Sequence, residues 1–178
     1  MCIDYTNRND KEVIMKEINR GSRLSSPGGA HRMPPRDLRM ARLLEDCYHA
    51  ELCAVATYTY RSLMCETVSQ ELSDILDRIA IDETEHFLLL GRLIRSLGGN
   101  PTVRTRVQTV PISFENADCR ATCRTVENML ATAMREEREE IDCYQTLMGR
   151  CEDRIVRSFL SQIIADEERH VRYLEKML

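Results

Sequence analysis

Apolar residues recur at alternating steps of three and four in four separate stretches of the chain, the spacing that lines up side chains along one face of an α-helix. These stretches cover about residues 37–66, 69–97, 118–149 and 152–178. Residues 1–36 lack the period, because Gly and Pro interrupt them repeatedly beyond a short possible helix near residues 10–19. The sequence therefore predicts an all-α fold with an N-terminal extension over residues 1–36 and one four-helix domain over residues 37–178.

The connections between the four stretches are short, long and short in turn. The second stretch stops at Gly98-Gly99-Asn100-Pro101, where glycine can cap a helix and proline cannot continue one. Residues 98–117 contain two prolines, several β-branched residues and no helical period. A long middle connection implies that the chain crosses the length of the bundle between helices 2 and 3.

Composition narrows the classes of function. Aromatic residues make up only 5% of the chain and charged residues 30%, a mixture that favours long amphipathic helices over sheets. The net charge of -4 is mild and both signs are interspersed, so nucleic acid is not an expected partner. No run reaches the roughly 18 apolar residues of a membrane span, and residues 1–10 are too polar for an export signal. We expect a cytoplasmic protein with no membrane partner.

The chain has eight cysteines, at positions 2, 47, 53, 65, 119, 123, 143 and 151. They include no Cys-x-x-Cys pair, so neither a rubredoxin-type site nor a zinc ribbon is predicted. Without an export signal, most are expected to be reduced and to pack as small apolar residues. The alternative that one or two of them are redox-active stays open.

The inward-facing stripe of each predicted helix is apolar at both ends and charged in the middle. The central charged or ionisable residues of the four stripes are Glu51, then Glu83 and His86, then Glu137 and Glu140, then Glu167 and His170. Burying ionised carboxylates without a partner costs several kcal/mol each, by rough estimate, and these positions carry no Lys or Arg. Two divalent cations would offset most of this charge, and carboxylate with imidazole suits Fe or Mn.

The spacing of these residues indicates a duplicated site. Glu83-x-x-His86 and Glu167-x-x-His170 each place two side chains on one helix face, where they can share a metal ion. Each motif follows a glutamate in the inward-facing stripe of the preceding helix, here called the seam. A tyrosine lies two turns after each of these glutamates, at Tyr58 and Tyr144. The two halves thus resemble copies of one hairpin, which predicts two metal ions bridged by carboxylates. Both tyrosines are candidate hydrogen-bond donors to ligand carboxylates.

Five acidic residues near the motifs are expected to be solvated rather than to bind metal. They are Glu85, Glu136, Glu139, Asp166 and Glu168.

The constellation resembles the ferritin-like superfamily, and within it the rubrerythrin-type di-iron or dimanganese proteins. The resemblance covers residues 38–178. It rests on Glu51-Leu-Cys-Ala-Val-Ala-Thr-Tyr58 for the first helix and on Ile79-Ala80-x-x-Glu83-x-x-His86 for the second. Ala133-x-x-x-Glu137 with Glu140 carries it for the third helix, and Asp166-Glu167-Glu168-Arg169-His170 for the fourth.

The resemblance implies a ferritin-like four-helix bundle with two Fe or two Mn ions and a reaction with hydrogen peroxide or dioxygen. A rubrerythrin-like peroxidase or ferroxidase is the first functional expectation. The chain has no paired Cys-x-x-Cys motifs of a rubredoxin domain, so we expect a peroxidase to need a separate electron donor such as a rubredoxin. The alternatives are a dimanganese catalase-like enzyme and an iron storage or structural coat protein. We also expect a homodimer, from apolar positions outside the seam such as Leu52, Leu88, Leu89 and Ile94.

Overall fold

The computed structural model describes residues 35–103, 112–114 and 119–178. They form four helices and no strand: α1 (Pro35–Cys65), α2 (Gln70–Ser96), α3 (Cys119–Arg150) and α4 (Arg154–Glu175). The predicted fold class is confirmed, and every helix boundary lies close to its predicted position. The possible helix near residues 10–19, nearly all of the N-terminal extension, and residues 104–111 and 115–118 of the long connection lie outside the described residues.

Local chemistry sets the helix ends. Ser69 caps α2, where its hydroxyl accepts from the backbone N–H of Leu72. Asp153 caps α4 by accepting from two backbone N–H groups, which places the start of this helix slightly later than its period suggests. At the end of α2, Gly98 has a φ of 85°, which side-chain-bearing residues rarely adopt.

The four helices pack as two antiparallel hairpins, α1 with α2 and α3 with α4. Between the hairpins α1 lies beside α3, and α2 lies beside α4. Contacts such as Cys47 with Cys143 and Cys65 with Met129 show that α1 and α3 run in opposite directions. The described residues of the middle connection contact α1, because the carbonyl of Thr102 contacts His49 and the N–H of Ile112 donates to the hydroxyl of Tyr60.

The hydrophobic core is divided into two parts by a polar layer. One part lies towards Leu44 and Leu97, and the other lies towards Cys65 and Leu72. The predicted pattern of stripes that are apolar at the ends and charged in the middle is therefore confirmed. Two positions expected on the outer face were assigned wrongly, since Leu89 and Ile94 are buried in the first part of the core. They complete the contact of α2 with its neighbours, whereas Leu88 is exposed.

Candidate metal centre

The polar layer brings together six of the seven predicted ligands in a buried cluster. They are Glu51, Glu83, His86, Glu137, Glu167 and His170, each at most 2% exposed. Among the described residues their ligand atoms fall into two groups of four, with all atoms of a group within 4.8 Å of one another. Glu83 and Glu167 belong to both groups. The arrangement is that of two adjacent sites sharing two carboxylates.

The first group surrounds the Nδ1 atom of His86. This nitrogen lies 3.0 Å from Glu83 Oε2, 3.0 Å from Glu167 Oε1 and 3.6 Å from Glu51 Oε2. Three helices contribute these residues: α1 supplies Glu51, α2 supplies Glu83 and His86, and α4 supplies Glu167. One imidazole nitrogen thus faces three carboxylate oxygens.

The second group repeats this arrangement around the Nδ1 atom of His170. That nitrogen lies 2.8 Å from Glu167 Oε2, 3.2 Å from Glu83 Oε1 and 3.3 Å from Glu137 Oε2. Glu83 and Glu167 therefore each direct one oxygen to one imidazole and the other oxygen to the second. Glu51 and Glu137 each serve one side only, which reproduces the predicted twofold relation between the hairpins.

The two seam tyrosines form hydrogen bonds across the hairpins with Glu51 and Glu137, here called the outer glutamates. Tyr58 on α1 donates its hydroxyl to Glu137 on α3, and Tyr144 on α3 donates to Glu51 on α1. Each tyrosine thereby fixes one carboxylate oxygen and leaves the other oxygen directed towards an imidazole. The predicted hydrogen bonds from tyrosine to carboxylate are present, and they cross between the two halves.

Asp166 was expected to be solvated, and this prediction is wrong. It is fully buried, and its Oδ2 lies 3.3 Å from Nε2 of His86. Asp82 occupies the equivalent place in the other half, 3.3 Å from Nε2 of His170. Arg169 binds both aspartates and joins α2 to α4. The signal was present in the sequence, because both motifs read Asp-Glu-x-x-His.

The remaining acidic residues divide between surface and site. Glu85, Glu139 and Glu168 are exposed as predicted, and Glu136 is partly exposed and pairs with the buried Arg61 at 2.8 Å. A place for Arg61 beside the site was not predicted. Its guanidinium group also lies over the ring of Tyr58. Glu140 lies outside both groups of four, but its Oε2 is buried and has no hydrogen-bond partner within the described part of the chain. Its role as a ligand stays a prediction.

The buried oxygens fit a pair of cations. Within the described residues Glu51 Oε2, Glu83 Oε1 and both oxygens of Glu167 are buried and make no hydrogen bond of good geometry. If the Nε2 proton of each imidazole faces its aspartate, the Nδ1 lone pair faces three carboxylates, which repel it unless a cation lies among them. Ligand atoms at right angles around a metal with bonds of about 2.1 Å are roughly 3 Å apart, close to the observed separations. The donor set suits Fe or Mn.

The pKa values of the unshared carboxyl groups and of the shared ones shift in opposite directions. Burial raises the pKa of Glu51 and of Glu140 well above the usual range, and it raises the pKa of Glu137 to about 8. Burial acts in the same direction on Glu83 and Glu167, but their contacts with the two imidazoles outweigh it and lower both pKa values.

Burial acts on the two imidazoles with the opposite sign, because it disfavours their charged, protonated form. Burial alone would lower the pKa of His86 and of His170, but the surrounding carboxylates outweigh it and raise both values. Without metal, these shifts favour the imidazolium form of His86 and His170, the carboxylate form of Glu83 and Glu167, and the protonated form of Glu51 and Glu137.

The fold and this layer define a four-helix carboxylate bundle. A family model for the ferritin-like domain matches residues 41–178, and the chain belongs to that family. Among solved structures, it is similar to the bacterioferritin of Desulfovibrio desulfuricans, whose diiron site was described in different catalytic states. The identity is 22%, the TM-score is 0.68, and the match covers 80% of this chain and 79% of that one.

A bacterioferritin of Mycobacterium tuberculosis is also similar, at 26% identity and a TM-score of 0.61, over 80% of this chain and 84% of that chain. No curated protein is significantly similar to the chain by sequence. The superfamily resemblance drawn from the sequence is therefore confirmed, while its rubrerythrin type is not specifically supported. None of the described helices has an apolar stretch long enough to cross a membrane.

The two buried aspartates lead to a prediction about metal affinity. Asp82→Asn and Asp166→Asn should each weaken metal binding by about 10- to 100-fold, because each removes the charge that orients one imidazole. Glu85→Gln and Glu168→Gln are matched controls, since they remove the same charge from the exposed side of the same helices. Competition with a chelator of known affinity measures the change. Equal affinities in all four variants would contradict an orienting role for the aspartates.

Proposed function

We propose that the six converging residues bind two iron ions and that the protein is a ferroxidase, which oxidises Fe(II) with dioxygen or hydrogen peroxide. One observation carries the proposal: Glu83 and Glu167 each direct their two oxygens to two different imidazoles. Such sharing favours a dinuclear site over a single ion. Membership of the ferritin-like family and the likeness to bacterioferritins support iron as the metal.

The chain's own residues prepare this centre. Two bound iron ions would supply one electron each to the oxidant. Glu83 and Glu167, on facing helices, would hold the two ions as a pair. Tyr58 and Tyr144 orient the outer glutamates, and the two apolar parts of the core on either side of the layer keep bulk water away. The outer carboxyl groups would release their protons on metal binding, since only the carboxylate form is a good ligand.

The bacterioferritin likeness favours iron oxidation and storage over the rubrerythrin-like peroxidase first expected from the sequence. A peroxidase with a separate donor such as a rubredoxin, a dimanganese catalase-like enzyme and a coat protein remain alternatives to be tested. The homodimer also stays a prediction, and the exposed Leu63, Ile81 and Leu88 are its candidate contacts.

The ferroxidase proposal predicts a rapid phase of iron oxidation with a fixed stoichiometry. Metal-free protein loaded anaerobically with Fe(II) and mixed with dioxygen or hydrogen peroxide should oxidise about two Fe(II) per chain quickly. The reaction is followed by the absorbance of ferric iron and by the consumption of oxygen. The Glu83→Gln/Glu167→Gln variant should lose the rapid phase, and the Glu85→Gln/Glu168→Gln variant should keep it.

Other outcomes identify the alternatives. Oxygen release from hydrogen peroxide by a manganese-loaded protein would indicate a catalase. Peroxide consumption that requires an added electron donor would indicate a peroxidase. Iron oxidation no faster than in buffer would overturn the ferroxidase proposal.

A further inference from the structure

Two cysteines of different helices lie in contact beside the polar layer. The Sγ atom of Cys47 on α1 is 3.5 Å from the Sγ atom of Cys143 on α3. Both are free thiols. A disulfide has an S–S length of about 2.05 Å, so the sulfur atoms need to approach by roughly 1.5 Å, a movement within reach of side-chain rotation. Among the described cysteines, this is the pair whose sulfur atoms contact each other.

The pair is asymmetric in its access to solvent. Cys47 is only 4% exposed and packs in the core part that contains Leu44, whereas Cys143 is exposed. Burial, followed by the neighbouring Cys143, raises the pKa of the Cys47 thiol, which therefore keeps its proton at neutral pH. A small oxidant or a reducing dithiol can thus reach Cys143 first, with the Cys47 thiol held directly behind it.

The thiols also lie next to the candidate metal centre. Cys47 precedes Glu51 by one helical turn on α1. Cys143 directly precedes Tyr144, whose hydroxyl donates to Glu51. A covalent bond between these sulfur atoms would fix α1 to α3 at the edge of the polar layer, where the two helices position Glu51.

We propose that Cys47 and Cys143 form a redox-active dithiol that a hydroperoxide oxidises to a disulfide and a reducing dithiol restores. The Cys143 sulfur attacks one peroxide oxygen and becomes a sulfenic acid, while the other oxygen leaves as water. The Cys47 sulfur then displaces the hydroxyl of the sulfenic acid as a second water. In total two thiols and one hydrogen peroxide give one disulfide and two waters, and the two sulfur atoms supply the two electrons.

Reduction of the disulfide begins at the exposed sulfur. A thiolate of the reducing dithiol attacks Cys143, and the Cys47 sulfur leaves and takes up a proton. The second thiol of the reductant closes on the first and releases Cys143. This cycle does not depend on iron binding, so its test and the ferroxidase test can fail separately.

The test uses the full chain, freed of metal with a chelator and reduced with dithiothreitol that is then removed. One equivalent of hydrogen peroxide is added, the remaining thiols are alkylated, and the digested peptides are identified by mass spectrometry. We expect a peptide linking Cys47 to Cys143, with the loss of two hydrogens, and its disappearance after dithiothreitol. The Cys143→Ser variant should lose the crosslink and remain folded, because position 143 is exposed.

Cys123→Ser is the matched control, since Cys123 is an exposed cysteine of the same helix and should not affect the crosslink. Circular dichroism verifies that each variant is helical. The proposal is overturned if the folded wild-type protein keeps both thiols open to alkylation after peroxide. It is equally overturned if Cys47 or Cys143 crosslinks to other cysteines as readily as to each other.

Discussion

The melting temperature of the metal-free protein is expected to rise by about 10 °C when Fe(II) or Mn(II) is added at a thousandfold excess over Kd. Binding to the folded state alone contributes roughly 4 kcal/mol under these conditions. In a protein of this size each kcal/mol shifts the melting temperature by about 2–4 °C. Anaerobic calorimetry or circular dichroism with and without metal measures the shift. A melting temperature that neither metal changes would contradict the presence of the site.

Variants of the shared and outer glutamates refine this prediction. Glu83→Gln/Glu167→Gln should abolish the metal-induced rise, and it should also lower the metal-free melting temperature by several degrees, because the two imidazoles lose their counter-charges. Glu51→Gln/Glu137→Gln should weaken the rise and leave the metal-free protein nearly unchanged, since the raised pKa values keep those groups protonated. If the two double variants behave alike without metal, the proposed distribution of charge is wrong.

The stability of the metal-free protein is expected to fall as the pH rises from 6 to 8, by roughly 5 °C in melting temperature. The folded protein raises the pKa of Glu137 from 4.5 to about 8, so the stability gained from its bound proton is lost as the pH rises through that value. The raised pKa values of His86 and His170 act in the same direction above pH 6.5.

The response to metal should have the opposite pH dependence, because binding displaces these protons and strengthens as the pH rises. The Mn(II)-induced rise in melting temperature should therefore be larger at pH 8 than at pH 6. The Glu137→Gln variant should show a flatter metal-free profile. A wild-type metal-free protein that gains stability over this range would refute the assignment of protons in the layer.

The sequence predicted the helices and their inward faces because both depend on local information. A period of three and four identifies an amphipathic helix, and residues such as Ser69, Gly98 and Pro101 mark its ends. The cluster of Glu and His was accessible for the same reason. Charged residues in the middle of otherwise apolar stripes require partners, and four facing stripes bring these residues together.

The parts that were missed depend on how the two hairpins pack. Asp82 and Asp166 directly precede the shared glutamates and are rotated by about 100° from them on their helices. An inward-facing stripe derived from one helix alone therefore leaves both aspartates beside the stripe, although they face the neighbouring hairpin. The ion pair of Arg61 with Glu136 and the contact between Cys47 and Cys143 likewise join α1 to α3. The two residues of each pair lie far apart in the sequence. No local period encodes such contacts.

The number of metal ions that each chain binds tests the central claim most directly. Metal-free protein titrated anaerobically with Fe(II), with free and bound iron separated and counted, should bind about two ions per chain tightly. The Glu83→Gln/Glu167→Gln variant should bind neither ion tightly, and the Glu85→Gln/Glu168→Gln variant should still bind both. Tight binding of a single ion, no tight binding, or binding that the loss of Glu83 and Glu167 leaves unchanged would contradict a dinuclear centre at these residues.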